Sequence, residues 1–312
     1  MSAGFENTSQ VSLQIKHAAM GGEFVFLAYP QKNKSKDDVL ALFNLAIQEV
    51  DRIEAKLTDF KDSPFNRIND HAWKNAYVVD DEIFNLLQTA LSFSKTTNGL
   101  FDISFASLAH RVRVAKAQNK NLSKKEIDYF KSLINYKHIE LDPNERTISF
   151  ANKDMRIGFG GIGKGYAVDR AFELLENNDL INFSVNGSGD MRVHSAPDAP
   201  RPWRLGIRNP FAKDSTSAAG IVQLSNGALV TSGNYVRGDH IINVNSDAPA
   251  ELASVTLIDK TALSADVLAT ALMNLNSSKA MDFLNSRNLI GLAIDLSGKT
   301  HLSTQAISHF GL

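Results

Sequence analysis

Residues Asp154 to Asp169, DMRIGFGGIGKGYAVD, hold the densest chemical signal in the chain. A short stretch with strand character, Met155, Ile157 and Phe159, breaks into Gly158, Gly160, Gly161, Gly163 and Gly165. A helical pattern follows over Ala167, Val168, Ala171, Phe172 and Leu175. Glycines that open a helix present backbone N–H groups at the positive end of its dipole, which is a seat for phosphate. Lys164 stands at the mouth of this turn, placed to pair with a phosphate oxygen. Tight backbone packing is the plain alternative, as good as the phosphate reading on this stretch alone. The stretch is read neither as a Walker A loop, since its final Ser/Thr is absent, nor as a dinucleotide fingerprint.

Other chemistry-bearing residues lie far away in the chain. Asp266 and Thr270 stand four apart in a helical pattern expected to be capped by Ser264, so both side chains leave one helix face. Adjacent oxygen donors near a phosphate turn suit Mg²⁺. Taken alone, Asp266 is more readily a first-turn acid that complements the helix dipole. His240 sits in a strand-like run, where a hydrogen-bonded structural role is usual, although an imidazole titrating near neutrality also suits a general base. Met20, beside Gly21 and Gly22, can lie flat on a ligand ring, but core filling is the commoner use of such a residue. A second glycine-rich turn, Asn186-Gly187-Ser188-Gly189-Asp190, also carries an acid.

Composition narrows the classes. With 312 residues, 43% of them hydrophobic, the chain has ample material for a large core in one domain or two lobes. A formal net charge of −1 supplies no global field for nucleic acid or a membrane surface, so no nucleic-acid partner is expected. The absence of cysteine excludes disulfides, thiolate metal sites and cysteine nucleophiles. No apolar run reaches the ~18 residues of a transmembrane segment. The opening MSAGFENTSQVSLQIKHAAM lacks the pattern of a signal peptide. The expected location is cytoplasmic as the sequence stands, and periplasmic or membrane-anchored if a leader has been removed.

The elements that must position these residues follow from periodicity. Strands are expected at 11–15 and 23–29. A helix opens at Ser35 and Asp38 and runs to Leu57, followed by Thr58-Asp59-Phe60 and a polar loop over 61–69. A second helix spans 81–96. In FDISFASL, Asp102 and Ser104 read as a cap. The basic run over 109–121 reads as a solvated face, and Ser123 to Glu126 forms a capping box. Strands at 138–141 and 146–150 flank a turn, and strands at 182–185 and 203–207 follow the central helix. Those at 221–224 and 228–231 are expected to pair across Ser225-Asn226-Gly227, since Asn-Gly is a strong hairpin signal. A strand at 253–258, a helix near 279–288 and a hairpin across Leu296-Ser297-Gly298 complete the chain. The hairpin signals point to an α+β fold, mostly antiparallel sheet with packed helices. The charged stretch from Arg111 to Lys131 is the expected boundary between two lobes, about 1–120 and 121–312.

The order of segments is informative: AMGGEFVFLAY, LTDFKDSPFNRIN, GLFDISFASL, IGFGGIGKGYAVD, NGSGDMR, PWRLGIRNP, VTSGNY, HII and SADVLATAL. Taken together, along nearly the whole chain, the series resembles the ApbE-like family, the FAD:protein FMN transferases. The resemblance implies a two-lobed single domain over 1–312 with FAD between the lobes. It implies transfer of FMN from FAD, with Mg²⁺, to a threonine or serine of an acceptor flavoprotein, with release of AMP. It also implies the site. A backbone carbonyl of Gly161, with Asp266 and Thr270, would hold the metal. Lys164, Met20 and Phe60 would contact the flavin nucleotide, with Gly160 and Gly163 presenting backbone N–H groups to its phosphates. His240 would serve transfer as base or phosphate-positioning group.

The chain departs from the family pattern in places. Gly158 replaces an acid, and the HII segment continues Asn243-Val244-Asn245-Ser246-Asp247, without the family's Asp, Pro and Gly. The segment from Tyr235 to His240 is short, and the region after FDISFASL lacks an aromatic-glycine element. Two other readings use the same residues: an FAD pyrophosphatase giving FMN and AMP, and a divergent, non-catalytic FAD-binding protein.

Overall fold

A computed structural model describes residues 12–198, 200–212, 217–233 and 251–311. Its organising unit is an eight-stranded sheet in the order β1 (Leu13–Ala19), β2 (Gly22–Ala28), β6 (Phe183–Gly187), β7 (Asp190–His194), β10 (Gly227–Gly233), β11 (Leu252–Asp259), β12 (Ile290–Asp295) and β13 (Thr300–Leu302). Every strand pair among the described residues is antiparallel. The α+β expectation therefore holds.

The period-2 alternation of side chains divides the sheet between two cores. Phe24, Phe26, Val185, Val230 and Ala293 point into the larger core, beneath α1 (Lys36–Leu57), α6 (Gly163–Asn177) and α7 (Ala262–Leu272). Their neighbours Leu27, Val193, Leu229, Leu292 and Ile294 point the other way. There they meet Trp203, Leu205 and Ile207 of β8 (Trp203–Arg208), Val222 of β9 (Ala218–Leu224) and Phe310 of β14 (Phe310–Gly311), which form a separate three-stranded sheet. β11, covered on both faces, is buried along nearly its whole length.

The expected helices form where caps and spacing agree. Ser35 and Asp38 make a reciprocal capping box, and Val39, Phe43, Ala46, Val50, Ile53 and Leu57 give α1 one buried stripe. Asp80 caps α3 (Asp81–Thr96), and Ser123 with Glu126 caps α5 (Lys124–Ser132). As expected, Asp102 is a cap: its carboxylate accepts from the Ser104 N–H at 2.9 Å. A small sheet of β3 (Tyr77–Val78), β5 (Thr147–Phe150) and β4 (Ile139–Asp142) leads into the glycine stretch, and α8 (Ser277–Ser286) precedes β12.

Four expectations need correction. The polar loop over 61–69 contains α2 (Pro64–His71), with Ser63 as N-cap and Pro64 preset for the first turn. The basic run is not a wholly solvated face: most of it lies in α4 (Ala106–Ala117), where Arg111 and Arg113 are half-buried and pair with Asp154 and Asp59. The Asn226-Gly227 hairpin does not form: β9 pairs with β8 and β14, while β10 pairs with β7 and β11. At that point the chain crosses from one sheet to the other; Gly227 takes φ +123, and Asn226 Oδ1 accepts from the Ser195 N–H at 2.9 Å. Finally, Thr261 rather than Ser264 caps α7, and the Ser264 hydroxyl donates to Asp259 at 2.6 Å.

Candidate active site

Three elements bring the sequence signals together. The glycine stretch ends in a turn in which the Gly163 N–H donates to the Phe159 carbonyl at 2.7 Å, and α6 then starts without any side-chain cap. α7 lies against this start. A Cβ on Gly165 would stand 2.5 Å from the Ala262 carbonyl oxygen, so only glycine permits the approach. A Cβ on Gly161 would stand 2.8 Å from Thr270 Cγ2 and 3.1 Å from its Oγ1. Gly161 and Thr270, 109 positions apart in the sequence, are thus in contact. Gly160 lies beside the Phe105 ring, and Gly163 faces the methyl end of Met20, which itself takes φ 52 and packs against the larger core. The glycines therefore do serve close packing, and in doing so they bring backbone up to the α7 donors.

The charges converge at the same place. Asp266 is only 2% exposed, and its Oδ2 accepts from the Gly165 N–H at 3.1 Å. This is no exposed first-turn acid; it faces the glycine turn. The Lys164 ammonium donates to Asp190 Oδ2 and stands 3.8 Å from Asp266 Oδ2. Asp190, the acid of the second glycine-rich turn, is 1% exposed. Burial first, then the neighbouring Asp266 charge, holds its carboxyl well above the usual carboxylate range, with Lys164 opposing both. The Thr270 hydroxyl lies 3.3 Å from that of Ser232 on β10. Asp190 and Ser232 are thus site neighbours that the sequence did not assign. The only signal for Asp190 was its place in a glycine turn.

Phe60 lies apart from this cluster, on the loop after α1. It is 75% exposed, with the Arg113 guanidinium 4.1 Å from its ring centroid. Arg113 is held by the Asp59 carbonyl and carboxylate, each at 3.3 Å, and by His110 at 3.2 Å. The neighbouring α2 is fastened to the glycine stretch: Phe65 stacks on Phe159 at 4.2 Å, and the Asn69 side chain bonds both backbone groups of Ile157. His240 and the HII segment lie outside the described residues.

This donor set fits a hard cation. Among the described residues there is no cluster of three His, Cys, Asp or Glu side chains. What converges is one ammonium, two buried carboxylates, hydroxyls and backbone, the oxygen-rich environment that Mg²⁺ takes. Gly158, Gly160 and Gly163 do have the GxGxxG spacing of the dinucleotide fingerprint. That motif, however, works in a parallel βαβ unit, and the sheets here are antiparallel, so topology excludes it where spacing does not.

A profile of the ApbE family matches residues 11–293. The chain belongs to the ApbE family. A relative from Vibrio cholerae named FAD:protein FMN transferase is 25% identical over 250 residues, 75% of this chain and 74% of its own length. One of the same name from Escherichia coli is 27% identical over 262 residues, 78% and 74% of the two chains. The crystal structure of the ApbE protein from Thermotoga maritima superposes with a TM-score of 0.82 at 25% identity, covering 94% of this chain and 97% of that one. The flavin transferase ApbE from Vibrio cholerae shares the fold with a TM-score of 0.82 at 21% identity, covering 96% and 99%. No helix among the described residues is long and apolar enough to cross a membrane.

Proposed function

We propose that this chain transfers the FMN half of FAD to a threonine or serine of an acceptor flavoprotein, in a Mg²⁺-dependent reaction that releases AMP. The observation that carries the reading is the meeting of Gly161, Lys164, Asp266 and Thr270 at the start of α6 in a chain of this family. In the reaction the acceptor hydroxyl oxygen bonds to the phosphorus of FMN. The phosphoanhydride bond to AMP breaks, and the hydroxyl proton passes to a base.

The residues divide this work. Asp266 and Thr270, with the Gly161 carbonyl, would hold Mg²⁺. When bound, the ion neutralises the pyrophosphate and the oxygen leaving on AMP. Lys164, held between two carboxylates, is positioned to turn to a phosphate oxygen. The start of α6 aims its helix dipole, and Gly160 its N–H group, at the same charge; the Gly163 N–H, expected to join them, is instead held by the Phe159 carbonyl. Met20 and Phe60 contact the flavin nucleotide. His240 takes the hydroxyl proton or positions a phosphate.

The test is the purified protein with FAD and a threonine-containing acceptor, with and without Mg²⁺, followed by flavin attachment and AMP release. Asp266→Ala should abolish both. Undiminished AMP release in that variant would overturn the metal assignment. Free FMN in place of attached FMN from the wild-type protein would make it a pyrophosphatase, and FAD binding without any turnover a carrier.

A further inference from the structure

Asp169 closes the glycine stretch, yet the chemistry above gives it no task. It is buried, at 5% exposed, near the middle of α6. Its Oδ1 accepts from the Ala262 N–H at 2.9 Å and its Oδ2 from the Leu263 N–H at 2.8 Å. These are the first two N–H groups of α7, which have no partner within their own helix. Arg192 of β7, two residues from Asp190, donates to the same Oδ1 at 2.8 Å and lies on the Phe172 ring at 4.0 Å.

With the contacts of Gly161 and Gly165 on α7, this bond completes a series. Gly161 meets Thr270, Gly165 meets Asp266, and Asp169 meets Ala262. One series ascends by four residues as the other descends by four; Gly165 to Asp169 is one turn of α6, both steps on the other side are turns of α7, and Gly161 stands just before the α6 N-cap. The two upper rungs are the candidate site. The third is a bidentate carboxylate on a helix start, the strongest and most directional of the three. It leaves α7 one height at which all three rungs close, and through Arg192 it ties that height to the strand bearing Asp190.

We propose that Asp169 is a positioning residue: it sets the register of α7 on α6 and so places Asp266 and Thr270 against the glycine turn. The proposal rests on the metal reading given above. Its test is Mn²⁺ binding to the full chain, read by electron paramagnetic resonance without FAD, together with thermal melting. Asp169→Asn puts an NH₂ where one oxygen stood, so one rung faces donor to donor whichever way the amide turns. Loss of a group that orients metal ligands typically weakens metal binding 10–100-fold, and Asp169→Asn is expected to weaken Mn²⁺ about 10-fold. Leu284→Ala, in the buried face of α8, supplies a destabilised control and should leave Mn²⁺ affinity within about twofold. Arg192→Gln removes only the lateral partner and should give a smaller loss in the same direction, which keeps the test open if Asp169→Asn does not fold. Unchanged affinity in folded Asp169→Asn, or an equal loss in Leu284→Ala, would overturn the proposal. A wild-type protein that takes up no Mn²⁺ would instead overturn the metal reading beneath it.

Discussion

Replacing Gly161 by alanine tests the contact on which the site depends. The added Cβ would stand 2.8 Å from Thr270 Cγ2, 3.1 Å from Oγ1 and 3.3 Å from Cβ. Carbon atoms rest at about 3.5–4.0 Å, so the closest pair must part by roughly 0.7 Å or more. Neither side gives easily. Phe159 and Ile162 flank Gly161 in the core, and Ala265, Asp266, Val267 and Ala269 bury the α7 side. Overpacking of this kind costs about 1–3 kcal/mol. Gly161 has no positive φ, so the penalty is steric alone. A cost of about 2 kcal/mol corresponds to a fall of about 3 °C in Tm for a chain of 312 residues. Thr270→Ser deletes Cγ2 and keeps the hydroxyl, so the double variant should recover about 1 kcal/mol of the loss. Urea unfolding of the four proteins in the cycle measures this coupling. A loss of equal size in both backgrounds would refute the reasoning, because the Cγ2 contact would then not be its source.

Gly165→Ala meets backbone rather than a side chain, at 2.5 Å, and weakens the N–H bond to Asp266 as well; it should cost more than Gly161→Ala, about 3 kcal/mol or above, with no rescue by any one side-chain truncation. His110 gives a pH signature: burial, then the charges of Arg156, Arg113 and Arg111, lower its pKa from 6.5 to about 4. The unfolded chain therefore binds more protons between those values, so stability should fall as pH drops from 6.5 towards 4. His110→Gln should flatten that slope, by about 1–2 kcal/mol after allowing for partial solvent contact, in melts across the range. Phe60→Ala should leave Tm nearly unchanged, since the ring is mostly exposed. It should weaken FAD binding about 5–100-fold if the ring stacks on the nucleotide, and an unchanged fluorescence titration would remove Phe60 from the site.

What the sequence made legible was local. α1 and α3 announce themselves by 3.6-residue apolar stripes and α5 by its Ser123–Glu126 capping box. α2 spans only eight residues, and its Ser-Pro start was outweighed by surrounding polar residues. α4 lacks a clean stripe because its short core-facing part is followed by arginines that serve Asp59 and Asp154. Asn226-Gly227 misleads because a left-handed glycine serves a crossing between sheets as well as a hairpin. The α6–α7 pairing is long-range: Asp169 and Leu263 are 94 residues apart, a distance over which neither period nor spacing carries information. The family resemblance supplied Gly161, Asp266 and Thr270 together. It left Asp190 and Asp169 unassigned, and only their partners in space give them meaning.

The large sheet also sets an order of assembly. The Glu23 N–H bonds the Ser188 hydroxyl, 165 residues further on, where β2 finds its second neighbour, β6. On the ribosome the β1–β2 hairpin is therefore made early. At 5–20 residues per second it waits on the order of 10–30 s for that partner. Throughout the wait, one edge of β2 offers unpaired backbone groups, and Phe24 and Phe26 lack the later members of the core cluster to which they belong. Joining of such distant strands makes for slow folding. The nascent chain thus carries an aggregation hazard at the β1–β2 hairpin until β6 has been synthesised.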